Sequence, residues 1–258
     1  MLIMVKNLIK SVISDVDGTL IYKGSHLNKV RFPVMLSKLS ERHIHFAIAT
    51  GRNYSELQKI FGNTVSNFHA VCCDGAYTVS DGRVLHPLPV PDTGIAAFFE
   101  TYAGTDVAVE FHTHSQCFLL GGSPSFFSKE KSRFDNVCRI YTHSDLRGDI
   151  FKICVYNSKN KITPAEGMRV CYDSCGITEY VHLDASKHSA VQKLISTLGI
   201  GLNEVLYFGD GKNDIELIKK ACISYTTYCA DKSVFPLTKN HTRDVIGTVI
   251  TLCNNKTI

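Results

Sequence analysis

Three short apolar runs of the chain stop abruptly at acidic residues, hydroxyl residues or glycine. They cover residues 11–14, 43–50 and 68–73. Two stretches with helical spacing lie between them, at 53–61 and at 27–41, where the spaced apolar residues are Leu27, Val30, Val34 and Leu39. A short apolar run bounded by turn residues is typical of a buried strand, and strands that alternate with helices are typical of right-handed crossovers. This order predicts an α/β fold with a parallel sheet.

The middle of the chain has a different pattern. Residues 86–92 include three prolines, and strand-like segments predominate after them. We predict strands at 106–111, 116–122, 150–157, 168–173 and 177–183, and helices near 93–103 and 125–138. From Lys187 the earlier alternation resumes, with helices at 187–200 and 213–222 and strands at 205–210 and 222–226. We therefore predict a Rossmann-like core of residues 1–82 and 184–258, with an α+β unit of residues 83–183 inserted into it.

Composition and charge exclude several classes of protein. The 258 residues are 44% hydrophobic and 20% charged, which is typical of a folded globular protein rather than a disordered one. Lys and Arg total 28 against 24 for Asp and Glu, without a block of like charges, so we expect no nucleic-acid partner. No apolar run approaches the length of about 20 residues that spans a membrane, so we expect no membrane partner.

Cysteine usage and the N-terminus indicate a reducing compartment. The ten cysteines include no CxxC pair, and we expect free, mostly buried thiols. The apolar N-terminal segment is interrupted by Lys6 and Lys10 and has no small-residue cleavage site after it, so we do not expect a secretory signal. We expect a cytoplasmic protein.

Polar residues follow three of the predicted strands. Asp15 and Asp17 come after the first strand, Thr50-Gly51-Arg52 after the second, and Gly209-Asp210 after a late one. In an open parallel sheet the carboxyl ends of the strands share one edge, and ligands bind there. We therefore expect these residues to line one crevice.

The acidic residues of this crevice predict a metal ion. We expect four carboxylates to converge there, those of Asp15, Asp17, Asp210 and Asp214. Carboxylates this close repel one another unless a hard cation joins them, and oxygen-only ligands favour Mg²⁺. Because Mg²⁺ in proteins commonly shares an oxygen with a bound phosphate, the pattern indicates phosphoryl chemistry.

Four motifs in this order resemble those of the haloacid dehalogenase superfamily. They are DVDGTL at residues 15–20, Thr50 in ATGR, Lys187 in DASKHSAVQKL, and GDGKND at residues 209–214. The single insert between the second and third motifs resembles the Cof-type sugar-phosphatase branch. The resemblance implies that residues 83–183, which we call the cap, form a domain that selects the substrate.

The resemblance implies a role for each residue that handles the phosphoryl group. Asp15 would attack the phosphorus and form an aspartyl-phosphate, and Asp17 would protonate the leaving alcohol and later deprotonate the attacking water. The Thr50 hydroxyl and the Gly51 N–H would hydrogen-bond phosphoryl oxygens. Lys187 would offset the negative charge of the phosphate and of Asp15.

The resemblance also implies a set of metal ligands. Asp15, Asp210 and the backbone carbonyl of Asp17 would bind Mg²⁺, while Asn213 and Asp214 would orient ligands and water from just outside.

The function predicted from this resemblance is that of a Mg²⁺-dependent phosphoric monoester hydrolase. Its substrates would be small phosphorylated metabolites such as sugar phosphates or pyridoxal phosphate, and the protein would be a monomer or a homodimer. Two alternatives stay open. One is a phosphomutase that resembles phosphomannomutase, and the other is a non-catalytic sensor of a phosphorylated ligand.

The chain departs from the family pattern at two positions. Asp74 stands where relatives usually have Asn before Gly-Ala, and His188 follows Lys187 where Gly is common. Within the cap, His112, His114 and Cys117 match no zinc-binding spacing, and we expect them at the cap surface or in contact with substrate.

Overall fold

The computed structural model describes residues 9–22, 25–159 and 161–258, so the first eight residues of the N-terminal apolar segment lie outside the described residues. The strands are β1 (Ser11–Ser14), β2 (His45–Ala49), β3 (His69–Cys72), β4 (Tyr77–Ser80), β5 (Arg83–Leu85), β6 (Ala108–His112), β7 (Cys117–Leu120), β8 (Val137–Ile140), β9 (Lys152–Tyr156), β10 (Met168–Ser174), β11 (Ile177–His182), β12 (Val205–Gly209), β13 (Ile223–Thr227) and β14 (His241–Thr242). The helices are α1 (Arg31–Ser40), α2 (Tyr54–Phe61), α3 (Asp92–Tyr102), α4 (Pro124–Arg133), α5 (Lys187–Thr197), α6 (Ile215–Lys220) and α7 (Val245–Asn254).

A large sheet has the strand order β14-β13-β12-β1-β2-β3-β4-β5. All pairs from β14 to β3 are parallel, which confirms the predicted parallel sheet. β1 lies near its centre, and neighbouring residues of that strand pack on opposite faces, Val12 in one apolar cluster with Phe32 of α1 and Ile13 in another with Val191 of α5. Helices therefore cover both faces, which explains why β1 is apolar without alternation.

A second sheet, in the order β10-β11-β9-β6-β7-β8, lies within the cap. Its pairs are antiparallel except for β7 with β8. Helix α3 packs on it through Phe98 and Phe99, and the Phe99 ring stacks on Phe111 with centroids 5.1 Å apart. The α+β character predicted for this segment is present.

The hairpin of β4 and β5 extends the large sheet beyond the predicted boundary between residues 82 and 83. Asp81 and Gly82 both have positive φ, at 49° and 73°, which is the backbone of a tight two-residue hairpin turn. β5 pairs with β4, so residues 83–85, which the prediction placed in the cap, are part of the large sheet.

The first predicted helix is shorter than expected, and most of the residues that it buries are not the spaced apolar residues from which it was predicted. The Asn28 side chain accepts a hydrogen bond from the Arg31 N–H at 3.0 Å, and the helix begins there. Its buried residues are Phe32, Met35 and Leu39. Val30 and Val34, two of the apolar residues whose spacing predicted this helix, are exposed.

The helix predicted at 125–138 was too long. Phe134 has an extended backbone and is buried, so α4 ends at Arg133 and the chain continues into β8. All ten cysteines are free. Burial is less general than predicted, because Cys138, Cys175 and Cys222 are exposed. Among the helices of the described ranges, none has the length and apolar character that a membrane crossing requires.

Candidate active site

The carboxyl ends of three parallel strands place polar residues at one edge of the large sheet. β1 pairs with β12 on one side and with β2 on the other. Asp15, Thr50 and Asp210 are the residues that directly follow these strands. Because the three strands are neighbours and run in the same direction, the three side chains begin at the same edge.

Lys187 is buried against two carboxylates. It is the first residue of α5 and is 3% exposed, and its Nζ donates to Asp15 Oδ1 at 2.7 Å and to Asp214 Oδ1 at 2.9 Å. Burial alone lowers the pKa of Lys187, but the charges of Asp15 and Asp214 outweigh it and raise that pKa above its usual value. Lys187 is therefore a fixed positive charge beside Asp15 at neutral pH.

Asp15, Asp210 and Asp214 each offer a carboxylate oxygen, all within 4.8 Å of one another. Burial raises the pKa of Asp15 well above its usual range; Lys187 opposes this effect, and the charges of Asp214 and Asp210 add to it. Burial also raises the pKa of Asp210. Carboxylates in such a group hold either a shared proton or a cation. Since all the donor atoms are oxygens, the group fits a hard divalent cation such as Mg²⁺.

Asp214 uses both of its oxygens within the protein. Oδ1 accepts from Lys187 and from the Tyr207 hydroxyl at 2.7 Å, and Oδ2 accepts from the N–H groups of Asp210 at 3.1 Å and Gly211 at 2.9 Å. Each oxygen therefore has two donors. Asp214 holds Lys187 and the backbone after β12 in place, which is compatible with the supporting role that the resemblance implies.

The turn after Asp17 is fitted to Asp210. Gly18 has a φ of +82°, and a Cβ at this position would overlap Asp210 Oδ2. The Thr19 hydroxyl donates to Asp210 Oδ1 at 2.7 Å. Only glycine combines this left-handed backbone with so close an approach, so the turn requires glycine at position 18.

Asp17 does not join the other three carboxylates, so the expectation that four converge was wrong for its side chain. Its carboxylate is 55% exposed and accepts two hydrogen bonds from Arg52, from Nε and Nη2, both at 2.7 Å. Arg52 Nη1 also donates to Glu56 Oε1 at 3.0 Å, and Arg133 of α4 donates to the same oxygen at 3.3 Å. A chain of ion pairs therefore runs from Asp17 into the cap.

The turn of residues 50–52 is held by the chain that follows β3. The Thr50 carbonyl accepts from the Asp74 N–H at 3.0 Å, and the Arg52 carbonyl accepts from the Cys73 N–H at 2.9 Å. The Thr50 hydroxyl oxygen accepts from the Arg52 N–H at 3.2 Å. The hydroxyl hydrogen of Thr50 is then available to a phosphoryl oxygen.

Asp74 and Lys152 form a buried pair beside this turn. Lys152 Nζ donates to Asp74 Oδ2 at 3.0 Å, to the Gly51 carbonyl at 2.7 Å and to Glu179 Oε2 at 2.6 Å. Asp74 Oδ1 accepts from Asn213 Nδ2 at 2.8 Å. Asn213 thus lies near the site, with its amide nitrogen bound to Asp74.

Sequence reasoning assigned no role to Arg52, Tyr207 or Lys152. Arg52 is the last residue of the ATGR motif. Lys152 is the single charged residue within the apolar segment 150–156. A lone charged residue in an apolar strand indicates a buried ion pair, because such side chains are almost never fully buried unless paired. The sequence therefore contains a signal for the buried pair of Lys152.

A cavity of about 700 Å³ opens beside Asp17 and Asp210. Three basic residues also line it, Arg52, Lys29 and Lys59. Its volume is in the range of small-molecule sites, and its cations favour an anionic ligand.

The position of His112 differs from the sequence prediction. His112 is buried, and its Nε2 lies 2.9 Å from Glu110 Oε2 in a hydrogen bond, whereas His114 is exposed. Pairing of β6 with β7 places Cys117 opposite His112, and one ligand atom from each of Glu110, His112 and Cys117 lies within 4.8 Å of the others. A surface position was therefore wrong for His112.

Comparison with known proteins supports the resemblance. A family model for haloacid dehalogenase-like hydrolases matches residues 12–246. "HMP-PP phosphatase" of Escherichia coli O6:H1 is 24% identical over 225 residues, which are 79% of this chain and 78% of that protein. "5-amino-6-(5-phospho-D-ribitylamino)uracil phosphatase YbjI" of Escherichia coli K12 is 24% identical over 251 residues, 90% of this chain and 89% of that protein.

A solved structure shares the fold. The haloacid dehalogenase-like hydrolase from Bacteroides thetaiotaomicron superposes with a TM-score of 0.80 at 16% identity, and covers 95% of this chain and 99% of its own. The overlap includes the large sheet and the cap, so the α/β fold predicted from the sequence is confirmed.

Proposed function

The chain belongs to the haloacid dehalogenase-like hydrolases, and we propose that it is a Mg²⁺-dependent phosphatase of small phosphorylated metabolites that acts through an aspartyl-phosphate. The observation that carries the proposal is the buried Asp15 at the carboxyl end of β1, with Lys187 Nζ 2.7 Å from its Oδ1. A protein that only binds phosphate needs a cation such as Lys187, but it does not need the Asp15 carboxylate in contact with that cation. A carboxylate that acts as the nucleophile does need a cation beside it.

In the first step, a carboxylate oxygen of Asp15 attacks the phosphorus and the ester P–O bond breaks. The leaving oxygen takes a proton from Asp17, whose exposed carboxyl group lines the cavity. Asp17 must first release its two hydrogen bonds from Arg52 and take up this proton from solvent. Lys187 and the Thr50 hydroxyl stabilise the charge on the phosphoryl oxygens.

In the second step, water attacks the phosphorus of the aspartyl-phosphate. Asp17 accepts a proton from that water, the bond between Asp15 and phosphorus breaks, and inorganic phosphate is released. Asp17 suits both steps because its 55% exposure gives it access to solvent, while Asp15 is shielded from it.

The oxygens of Asp15 and Asp210 are the ligands that we propose for Mg²⁺, together with the Asp17 backbone carbonyl. When bound, the cation supplies positive charge that favours ionised carboxylates and offsets the phosphoryl charge. Asp214 and Asn213 support the site from outside, Asp214 through Lys187 and the backbone N–H groups described above.

The substrate class is proposed from the relatives and the cavity. The two relatives are named as phosphatases of HMP-PP and of a phosphoribitylaminouracil. The cavity has the volume of a small metabolite, and Arg52, Lys29 and Lys59 line it. We propose that the substrate extends into this cavity and that the cap selects it.

Hydrolysis of p-nitrophenyl phosphate by the purified protein tests the proposal. We expect turnover with Mg²⁺, none with EDTA, and a loss of at least about 10³-fold in Asp15→Asn, whose fold stays intact. Turnover by Asp15→Asn at the parent rate would show that Asp15 is not the nucleophile. If the folded parent protein is inactive with every divalent cation, the phosphatase proposal fails and the sensor or mutase alternatives gain support.

A further inference from the structure

Lys152 is a cap residue whose ammonium group reaches the large sheet. It lies on β9 and its side chain is 4% exposed. Its Nζ has three hydrogen bonds, to Glu179 of β11, to Asp74 and to the Gly51 carbonyl. An ammonium group has three N–H donors, so all of them are used. Only Glu179 belongs to the cap. The Gly51 carbonyl is part of the proposed phosphate-binding turn, and Asp74 lies beside that turn.

The turn of residues 50–52 has three consecutive carbonyls, and all three accept hydrogen bonds. The first and third, from Thr50 and Arg52, accept from backbone N–H groups that follow β3. The middle one, from Gly51, accepts from the cap lysine at 2.7 Å. The core therefore holds the two ends of the turn, and the cap holds its centre.

The peptide group between Gly51 and Arg52 transmits this contact to Thr50. In a trans peptide the C=O and N–H point in opposite directions, so fixing the Gly51 carbonyl also fixes the Arg52 N–H. That N–H donates to the Thr50 hydroxyl oxygen at 3.2 Å. Glycine leaves its backbone freer to rotate than any other residue, so this peptide orientation depends on the bond from Lys152.

Asp74 explains why a lysine can be buried here. Burial alone raises the pKa of Asp74, but Lys152 and Lys187 outweigh it and lower that pKa to about 2. Asp74 has a φ of 55°, in the left-handed region that non-glycine residues rarely adopt. Its other oxygen accepts from Asn213, so the carboxylate joins the cap lysine to the GDGKND motif.

We propose that Lys152 is a positioning residue for phosphate binding. When the cap is docked, its ammonium group fixes the Gly51–Arg52 peptide and thereby orients the Thr50 hydroxyl toward the phosphoryl group. Cap docking and phosphate affinity are thus coupled through one side chain. This inference rests on the proposed function, because the turn has a phosphate to bind only if the protein acts on phosphate esters.

The rival explanation is that Lys152 only stabilises the fold. A second substitution distinguishes this explanation from the positioning role. Lys152→Met leaves the buried Asp74 carboxylate without its closest cation, so it lowers thermal stability under either explanation. Lys152→Met with Asp74→Asn removes both charges and recovers part of that stability. The Gly51 carbonyl still lacks its donor in the double variant.

The test measures thermal stability, the affinity for inorganic phosphate by calorimetry with Mg²⁺ present, and KM and kcat for p-nitrophenyl phosphate. The matched control is Lys161→Met, which removes an exposed cap lysine that pairs with exposed Asp173. We expect the double variant to regain stability while its phosphate affinity stays roughly 10- to 100-fold weaker than that of the parent, with a parallel rise in KM. The control should match the parent in every measurement.

Two results would overturn the inference alone. The first is a double variant that regains phosphate affinity together with stability, and the second is a Lys152→Met protein that binds phosphate like the parent. If the parent and the Lys161→Met control neither bind phosphate nor hydrolyse the ester, the proposed function fails, and the inference that rests on it fails with it.

Discussion

Two of the buried clusters of charged side chains among the described residues differ in their hydrogen bonding. In the core cluster, formed by Asp15, Lys187, Tyr207 and Asp214, both oxygens of Asp214 have two donors each. In the cap cluster, formed by Glu110, His112, Glu130 and Arg133, three buried polar atoms have no hydrogen-bond partner within the described residues. These atoms are Glu110 Oε1, His112 Nδ1 and Glu130 Oε1.

Each cluster has one cation and two carboxylates, so the difference follows from the other donors around the carboxylates and not from the ratio of charges. Lys187 donates to both carboxylates of the core cluster, and its pKa lies above its usual value, so the lysine itself is charged at neutral pH. In the cap cluster, burial and the Glu110 charge raise the pKa of Glu130 to about 7, although Arg133 opposes them. A proton on Glu130 gives that carboxyl group a donor toward Glu110. The core cluster is therefore organised around a fixed lysine charge, whereas the cap cluster holds a proton on Glu130.

The largest effect is expected from Lys187→Met. Without this cation the buried carboxylates of Asp15 and Asp214 repel each other, and breaking a buried ion pair from one side costs about 3 to 5 kcal/mol. Phosphatase activity should fall at least about 10²-fold, because the positive charge at the phosphoryl group is lost. Urea unfolding and p-nitrophenyl phosphate turnover measure the two effects. Lys193→Met, an exposed position on the same helix, is the control, and equal behaviour of the two variants would contradict the account.

A pH series on Glu130→Gln tests the cap cluster. The folded protein holds the Glu130 proton more tightly than the unfolded chain, so this contribution to the free energy of unfolding is complete below the ordinary pKa of 4.5 and is lost as the pH rises through about 7. We expect the parent to lose about 1 to 3 kcal/mol more than Glu130→Gln across this window.

Urea unfolding at several pH values measures this difference. Glu100→Gln, at an exposed position of α3, controls for the loss of a glutamate from the cap. If Glu130→Gln and the parent have the same pH dependence, the cap cluster does not hold a proton, and the contrast with the core cluster disappears.

The smallest effect is expected from Tyr207→Phe. It removes one of two donors to Asp214 Oδ1 and leaves the one from Lys187, so we expect a loss of about 1 to 2 kcal/mol in unfolding free energy, nearly constant across the pH range that affects Glu130. Denaturant unfolding compares it with Tyr141→Phe, where the side chain is exposed. A loss as large as that of Lys187→Met would mean that the hydroxyl, not the ammonium group, holds this cluster together.

The large sheet could be predicted because its local signals agree with the fold. β1, β2 and β3 are apolar runs that stop at turn residues, and both the strands and the polar edge lie where the sequence placed them. The face of α1 could not be predicted in this way, because Val30 and Val34 have the spacing of a buried stripe and only packing shows that Phe32 is buried instead.

The parts of the site that lie within a single motif could be predicted from the sequence. Asp15 and Asp210 directly follow β1 and β12, so their positions at the sheet edge follow from the predicted strands. The pairing of Asp17 with Arg52 does not, since it depends on how two loops meet, and the docking of Lys152 on Gly51 depends on how the cap closes on the sheet. A single sequence gives only indirect signals of contacts between segments that are far apart along the chain. The lone lysine in the apolar strand β9 is one such signal.

The central claim is that Asp15 carries the phosphoryl group during turnover, and Asp17→Asn tests it most directly. The p-nitrophenolate leaving group needs no proton, so the first step should proceed in this variant, whereas attack by water lacks its base. We predict a burst of one nitrophenol per protein chain with Mg²⁺ present. Mass spectrometry after acid quench should find one phosphoryl group, on the peptide that contains Asp15. A burst with no bound phosphate, or with phosphate on another residue, would contradict the account.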